Sequence, residues 1–174
     1  RWGYTCAPGD LYVSPVPDQS ADVWFHTSDE ECNKPHLFAS YHLYRRVIRQ
    51  YACSDEYEQL YPKHSNVLVV PLGYGERYNA SYKSARVLAW SFAGNVGSWF
   101  RWMDRGHAER APALQAFGHI EPHQVATKVS KQRMARLYAS SFFVVSPRGW
   151  YNLDCFRHYE ASAVGAVPIV VGSA

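Results

Sequence analysis

Two arginines and a glutamate stand late in the sequence at spacings suited to holding an anion: Arg148, within Ser146-Pro147-Arg148-Gly149, then Arg157 and Glu160. The apolar run Phe142-Phe143-Val144-Val145 ahead of them reads as a strand, and a helix is predicted from about Asp154, as its N-cap, to Val164. A helix start offers an anion free backbone N–H groups and the positive end of its dipole. The planar guanidinium groups of Arg148 and Arg157 suit phosphate oxygens. Glu160 lies three residues after Arg157 and so on the same helix face, where its carboxylate can accept hydrogen bonds from ribose hydroxyls. The same spacing also fits a blander arrangement, with Arg157 and Glu160 a surface ion pair and Arg148 an ordinary loop residue. Spacing alone does not choose.

A second group of candidates follows His26. Asp29 and Glu30 come just after a predicted strand end, as a general base would, and equally as acids favoured at a helix start. Gly94 and Gly97 form a weak glycine loop that permits close approach of a ligand, or simply a tight turn. Other chemistries lack their motifs: there is no GxSxG elbow, no Walker lysine loop and no HExxH. His119 and His123 are separated by Pro122, which argues against a shared helical face and a metal site. No DxD triplet is present, so a diphosphate held by arginines, with no metal and no other cofactor, is the expectation.

Strand ends position these residues. In open parallel sheets ligands sit outside the carboxyl ends of the strands, which selects the loops after His26, Phe92, Val145 and Val171. Strands are predicted over 21–26, 67–70, 87–92, 114–117, 142–145 and 167–171. Leu37, Tyr41, Tyr44, Ile48 and Tyr51 recur at steps of three and four, which predicts one long helix starting near Asn33 and Pro35, with Arg45, Arg46 and Arg49 mostly on its solvated face. An amphipathic stretch is predicted from Ser98 to about Glu109 and a short helix ending near Ser140, with Gly165 near C′ of the Asp154–Val164 helix. Apolar, β-branched strands alternating with helices give an α/β class with a parallel sheet covered on both faces. The predicted organisation is a partial amino-terminal α/β lobe over 1–70, a connector over 71–85 and a Rossmann-like lobe over 86–174.

Composition agrees with a folded chain. Its 174 residues are 47% hydrophobic and 16% aromatic, enough for a core anchored by Trp24, Trp90, Trp99 and Trp102. A net charge of +3 suits a small anion but is too slight for a nucleic-acid partner. No apolar run reaches the roughly 20 residues of a membrane span. The chain opens at Arg1 and stops just after an apolar run, so a targeting segment, an anchor or further catalytic residues are expected outside it. Cys6, Cys32, Cys53 and Cys155 lack CxxC spacing, which makes a zinc cluster improbable. The long helix would hold Cys32 about 25 Å from Cys53 at about 1.5 Å per residue, which favours Cys6 pairing with one of them. Asn79-Ala80-Ser81 is a glycosylation sequon and points to the secretory pathway.

At these residues the sequence resembles the exostosin-type glycosyltransferases. The strongest block runs Ser140-Ser141-Phe142-Phe143-Val144-Val145-Ser146-Pro147-Arg148-Gly149, then Asp154, Phe156-Arg157, Glu160-Ala161 and Gly165-Ala166-Val167-Pro168-Ile169-Val170. Upstream, His26-Thr27-Ser28-Asp29-Glu30, Arg49-Gln50-Tyr51, Val70-Pro71-Leu72-Gly73-Tyr74 and Ser91-Phe92-Ala93-Gly94 are similar to a branch that includes the ribitol-phosphate xylosyltransferase-like proteins. The resemblance runs in one order over roughly residues 22–174.

The resemblance implies a two-lobed GT-B fold, a UDP-sugar donor, inversion at the anomeric carbon and no required metal. It assigns Arg148 and Arg157 to the diphosphate and Glu160 to the ribose, with Ser146, Gly149 and Gly94 lining the donor site. Asp29 or Glu30 would deprotonate a hydroxyl of a glycan or glycoprotein acceptor. It further implies a Golgi or secretory-pathway lumen location through a type II anchor outside the chain, and allows a homologous transferase as partner. Trp150 and Tyr151 depart from the family's loop, so sugar choice does not carry over. Two readings compete: a non-catalytic homologue that binds a glycan or stabilises an active partner, and a sugar-free α/β phosphate binder.

Overall fold

A computed structural model of the chain describes residues 11–14, 21–27, 35–51, 65–73, 75, 78–96, 105–149 and 153–172. It divides into two units, Arg1–Pro71 and Leu72–Ala174.

The first unit is a parallel sheet of four strands in the order β1-β2-β3-β4: β1 (Leu11–Ser14), β2 (Val23–His26), β3 (Arg46–Arg49) and β4 (Val67–Val69). Between β2 and β3 come one helical turn, α1 (Pro35–Phe38), and a 3-10 turn at Tyr41–Leu43. The long helix expected from Asn33 is therefore absent. Leu37, Tyr41 and Tyr44 are buried as their spacing predicts, but the two short turns are what bring them against Trp24 and Val47. Beyond Tyr44 the β-branched pair Val47-Ile48 enters the sheet between β2 and β4, where it pairs on both sides. Arg49, expected on a solvated helix face, is instead a buried strand residue whose guanidinium lies 4.8 Å from the Phe38 ring centroid. Loss of the helix also removes the reason for holding Cys32 away from Cys53; both, like Cys6, lie outside the described residues.

The second unit is a parallel sheet in the order β6-β5-β7-β8, formed by β5 (Leu88–Ala93), β6 (His123–Ala126), β7 (Ser141–Pro147) and β8 (Val167–Val171). Its helices are α2 (Arg105–Phe117), α3 (Lys131–Ala139) and α4 (Phe156–Ala163). Ala113 and Leu114 of α2 pack on Trp90, Phe92 and Val145. Alternate residues of the same strands, Ala93 and Val144, face Met134, Ala135 and Tyr138 of α3 and Ala161 of α4. Helices thus cover both faces, as the continuous apolar character of β5 and β7 demands. Phe142, Phe143 and Val167, at the amino ends of β7 and β8, stay exposed.

Three boundaries differ from expectation. Leu114–Phe117 is not a strand but the last turn of α2, where Leu114 and Phe117 pack one turn apart on the same cluster. The strand of that connection is β6, an edge strand with one neighbour and only Ala126 buried, so its sequence carries little apolar signal. Finally, α4 starts at Phe156 with Cys155, not Asp154, as its N-cap. Its far end closes on Gly165 at φ +80°, with Ala166 N–H donating to Ala161 C=O at 3.0 Å. Segment 72–85 belongs to the second unit, where buried Tyr78 donates its hydroxyl to the Glu160 carbonyl at 2.6 Å. Among the described residues no helix is long and apolar enough to cross a membrane.

Candidate anion-binding site

The order β6-β5-β7-β8 contains a switch point. The chain leaving β5 enters α2 on one face, whereas the chain leaving β7 enters α4 on the other, so the loops after these two adjacent strands part. A crevice at the carboxyl ends of such strands is where open α/β sheets take their ligands. Gly94 follows β5, and Arg148-Gly149 follows β7.

Arg157, in the first turn of α4, lies against both loops. Its Nη1 donates to the Pro147 carbonyl at 3.0 Å and to Cys155 Sγ at 3.3 Å, and its guanidinium lies 5.3 Å from the Phe92 ring centroid. Its Nε and Nη2 donate to no described residue. Gly94 sits beside it with φ +150°; a Cβ there would stand 3.1 Å from Phe92 Cζ and 3.7 Å from Arg157 Nε. Glycine is needed here both for the backbone conformation and for the space.

Arg148 is occupied differently. Its Nε lies 2.9 Å from Glu109 Oε2 of α2, and its backbone N–H donates to Val171 at 3.1 Å. The neighbouring Arg110 is buried and donates to Gly149 C=O at 2.8 Å and Asn95 C=O at 3.3 Å, which ties the loops after β7 and β5 to one helix. Ser146 is fully buried, with its hydroxyl donating to Val144 C=O at 3.3 Å.

Glu160 is buried on α4, but its partner is Lys131, the first residue of α3, at 2.5 Å from Oε1. Among the described residues Arg157 makes no ion pair with it, so the surface pair allowed by the spacing does not form. Gly75 borders that pair: a Cβ there would lie 3.0 Å from Lys131 Nζ and 3.4 Å from Glu160 Oε1. Tyr138, buried between the two groups, donates to Ala93 C=O at 3.3 Å, and burial holds its phenol well above its ordinary range. Burial and the neighbouring Glu160 do the same to Tyr78. Tyr159 is pushed up to about 12, by burial first and then by its hydrogen bond with Asp154.

The structure thus brings Gly94 and Arg157 together, sets Glu160 with Lys131, and turns the Arg148 guanidinium toward α2. Lys131, Glu109 and Arg110 were not singled out from sequence. Lys131 follows the loop after β6, so the strand-end rule finds it once β6 is placed at His123–Ala126. Asp29, Glu30 and Gly97 lie outside the described residues. Next to them in sequence, His26 is buried, stacked on Trp24, and 2.6 Å from the Tyr41 hydroxyl. Asn79 is exposed, its side-chain oxygen accepting from Ser81 N–H at 2.9 Å. His123 stacks on Trp90 and pairs with Glu121, whereas His119 lies in the turn before β6. Among the described residues no group of three or more His, Cys, Asp or Glu is placed to hold a metal ion.

The chain matches no protein-family model and no curated protein.

Proposed function

We propose that the crevice between the β5 and β7 loops holds the diphosphate of a UDP-sugar, and that the chain is part of an inverting glycosyltransferase of GT-B architecture. The observation that carries the reading is Arg157, fixed at the start of α4, beside Gly94 and at the switch point of a parallel sheet. A guanidinium there, with the α4 dipole behind it, stabilises the departing diphosphate without a metal. Glu160, held by Lys131, serves the ribose hydroxyls. Lys131 adds a second cation at the edge of the same site.

In this reaction an acceptor hydroxyl of a glycan or glycoprotein, deprotonated by a carboxylate such as Asp29 or Glu30, attacks the anomeric carbon. The nucleoside diphosphate leaves as the new glycosidic bond forms. The setting is the Golgi or secretory lumen, consistent with the exposed Asn79 sequon.

Calorimetric titration of UDP into wild type and Arg157→Ala tests the reading. Wild type should bind UDP more tightly than inorganic phosphate, and the variant should bind UDP at least about tenfold more weakly, as loss of a charge-assisted contact implies. Equal affinity of the two proteins overturns the donor site. Equal affinity of wild type for phosphate and UDP favours the sugar-free phosphate binder.

A further inference from the structure

Cys155 has no part in the reading above, yet its sulfur touches the arginine on which that reading rests. Helices are usually capped by Ser, Thr, Asp or Asn, whose oxygen accepts from a first-turn N–H. Cys155 is the N-cap of α4 and makes no such bond. Its Sγ points instead at Arg157 Nη1, at 3.3 Å, and lies 3.7 Å from the Pro147 carbonyl. That carbonyl accepts from the same Nη1 at 3.0 Å, so guanidinium, sulfur and carbonyl close a triangle.

Among the described residues the other charged and titratable groups around the sulfur are few. From α4 come Arg157, His158 and Tyr159, of which Arg157 and His158 act on the thiol most strongly. His158 Nε2 also lies 3.4 Å from Ser146 C=O, and Nδ1 lies 3.9 Å from Asp154 Oδ1 in the segment before the helix. From β7 the Pro147 carbonyl faces the sulfur, and from α3 the Tyr138 phenol feels the Arg157 charge. Burial works to raise the Cys155 thiol, but the His158 hydrogen bond and the Arg157 charge outweigh it, and the net direction is down. The α4 dipole acts in the same sense.

We propose that Cys155 is a positioning residue for Arg157, its sulfur serving as the guanidinium's built-in anion until a phosphate of the bound donor takes its place. This rests on the donor-site reading. Before binding, the sulfur and the Pro147 carbonyl hold the guanidinium beside the crevice. On binding, phosphate oxygens take over the guanidinium, and the thiolate, its partner withdrawn, takes a proton from solvent. No covalent bond is made or broken. Donor binding is therefore linked to proton uptake wherever Cys155 is ionised in the empty site, and UDP affinity weakens as pH rises through that ionisation.

Two measurements on the full chain decide the matter. The first needs no nucleotide: thiolate ultraviolet absorbance is titrated in wild type and in Cys155→Ser, and the difference isolates Cys155. A midpoint below the ordinary thiol range, moved upward by His158→Gln, is expected; a midpoint at or above that range overturns the built-in anion. The second is UDP calorimetry across pH in buffers of different ionisation heat. UDP's own ionisation affects both proteins alike, so only the difference between them counts. Relative to Cys155→Ser, wild type should take up additional protons and lose affinity several-fold as pH rises. A merely structural cysteine would shift affinity by the same factor at every pH. Wild type that binds UDP with the pH dependence of Cys155→Ser overturns the role of Cys155 alone. Wild type that binds no UDP at any pH overturns the donor-site reading itself, whatever the thiol titration gives.

Discussion

Arg148 Nε lies 2.9 Å from Glu109 Oε2, with the two side chains only 11% and 20% exposed. The loop arginine that sequence spacing presents as a phosphate ligand is therefore also a strut to α2, and Arg110 grips the same loop through Gly149. Arg148→Ala and Glu109→Ala should each lower stability by about 1–3 kcal/mol, because each leaves a part-buried charge short of a partner. The double variant should lose less than the sum of the two, with a coupling of about 1 kcal/mol or more in urea unfolding. Additive losses would show that the pair carries no weight. Arg148→Ala should also weaken UDP binding less than Arg157→Ala does.

Lys131 and Glu160 form an asymmetric pair, the carboxylate 2% exposed and the lysine 43% exposed. Lys131→Met leaves the carboxylate buried without its cation. The cost should be about 1–3 kcal/mol, below that of a fully buried pair because the lysine end is already solvated. Adding Glu160→Gln should recover part of the loss, since the Tyr78 hydroxyl bonds to the backbone carbonyl of residue 160 and does not depend on its side chain. Thermal and urea unfolding of the three variants read this directly. Lys131→Met as stable as wild type would refute it.

Gly94 and Gly75 border different halves of the site and should respond differently to alanine. At Gly94 the φ of +150° is strained for any L side chain, and the new Cβ meets an aromatic ring held in the core. Gly94→Ala should cost about 1–3 kcal/mol and lower UDP affinity, because Phe92, whose ring lies under the Arg157 guanidinium, must give way. At Gly75 the nearest atom is the end of the flexible Lys131 side chain, which can move aside. Gly75→Ala should therefore be the milder of the two in both unfolding and binding measurements, and the reverse order would contradict the geometry.

Strands buried on both faces were legible because their own residues carry the signal: Phe142–Val145, Val87–Phe92 and Val167–Val171 all fall within or beside the observed β7, β5 and β8. Where neighbours decide the structure, the local pattern misleads. The helical spacing through Leu37, Tyr41 and Tyr44 is real, yet sheet pairing of Val47 and Ile48 on both sides overrides its continuation. The run Leu114–Phe117 fits either period, and the true strand at His123–Ala126 is an edge strand with weak patterning. That displacement hid the loop leading to Lys131. For the candidate site, residue types and strand ends brought out Gly94, Arg157 and Glu160. The partners that occupy Arg148 and Glu160 come from α2 and α3, at sequence separations that no local spacing encodes.

His158 and Cys155 give the second unit a pH dependence of known sign. Burial works against the charged imidazole, but the hydrogen bond with Cys155, the charge of Cys155, the Ser146 carbonyl and Asp154 outweigh it, and the net direction is upward from an ordinary value of 6.5. A group raised on folding stabilises fully below its unfolded value and loses that contribution as pH climbs through the folded one. Cys155 moves the opposite way, so its contribution is full above the ordinary thiol value and fades as pH falls through the folded one. Replacing His158 by Gln removes the first contribution outright. The stability difference between wild type and His158→Gln should therefore be larger at about pH 6 than at about pH 9, read from urea unfolding at each pH. For Cys155→Ser the trend should reverse, the difference from wild type growing as pH rises through the thiol's folded value. Parallel pH profiles for the two variants would mean that the imidazole and the thiol do not share charge at the start of α4.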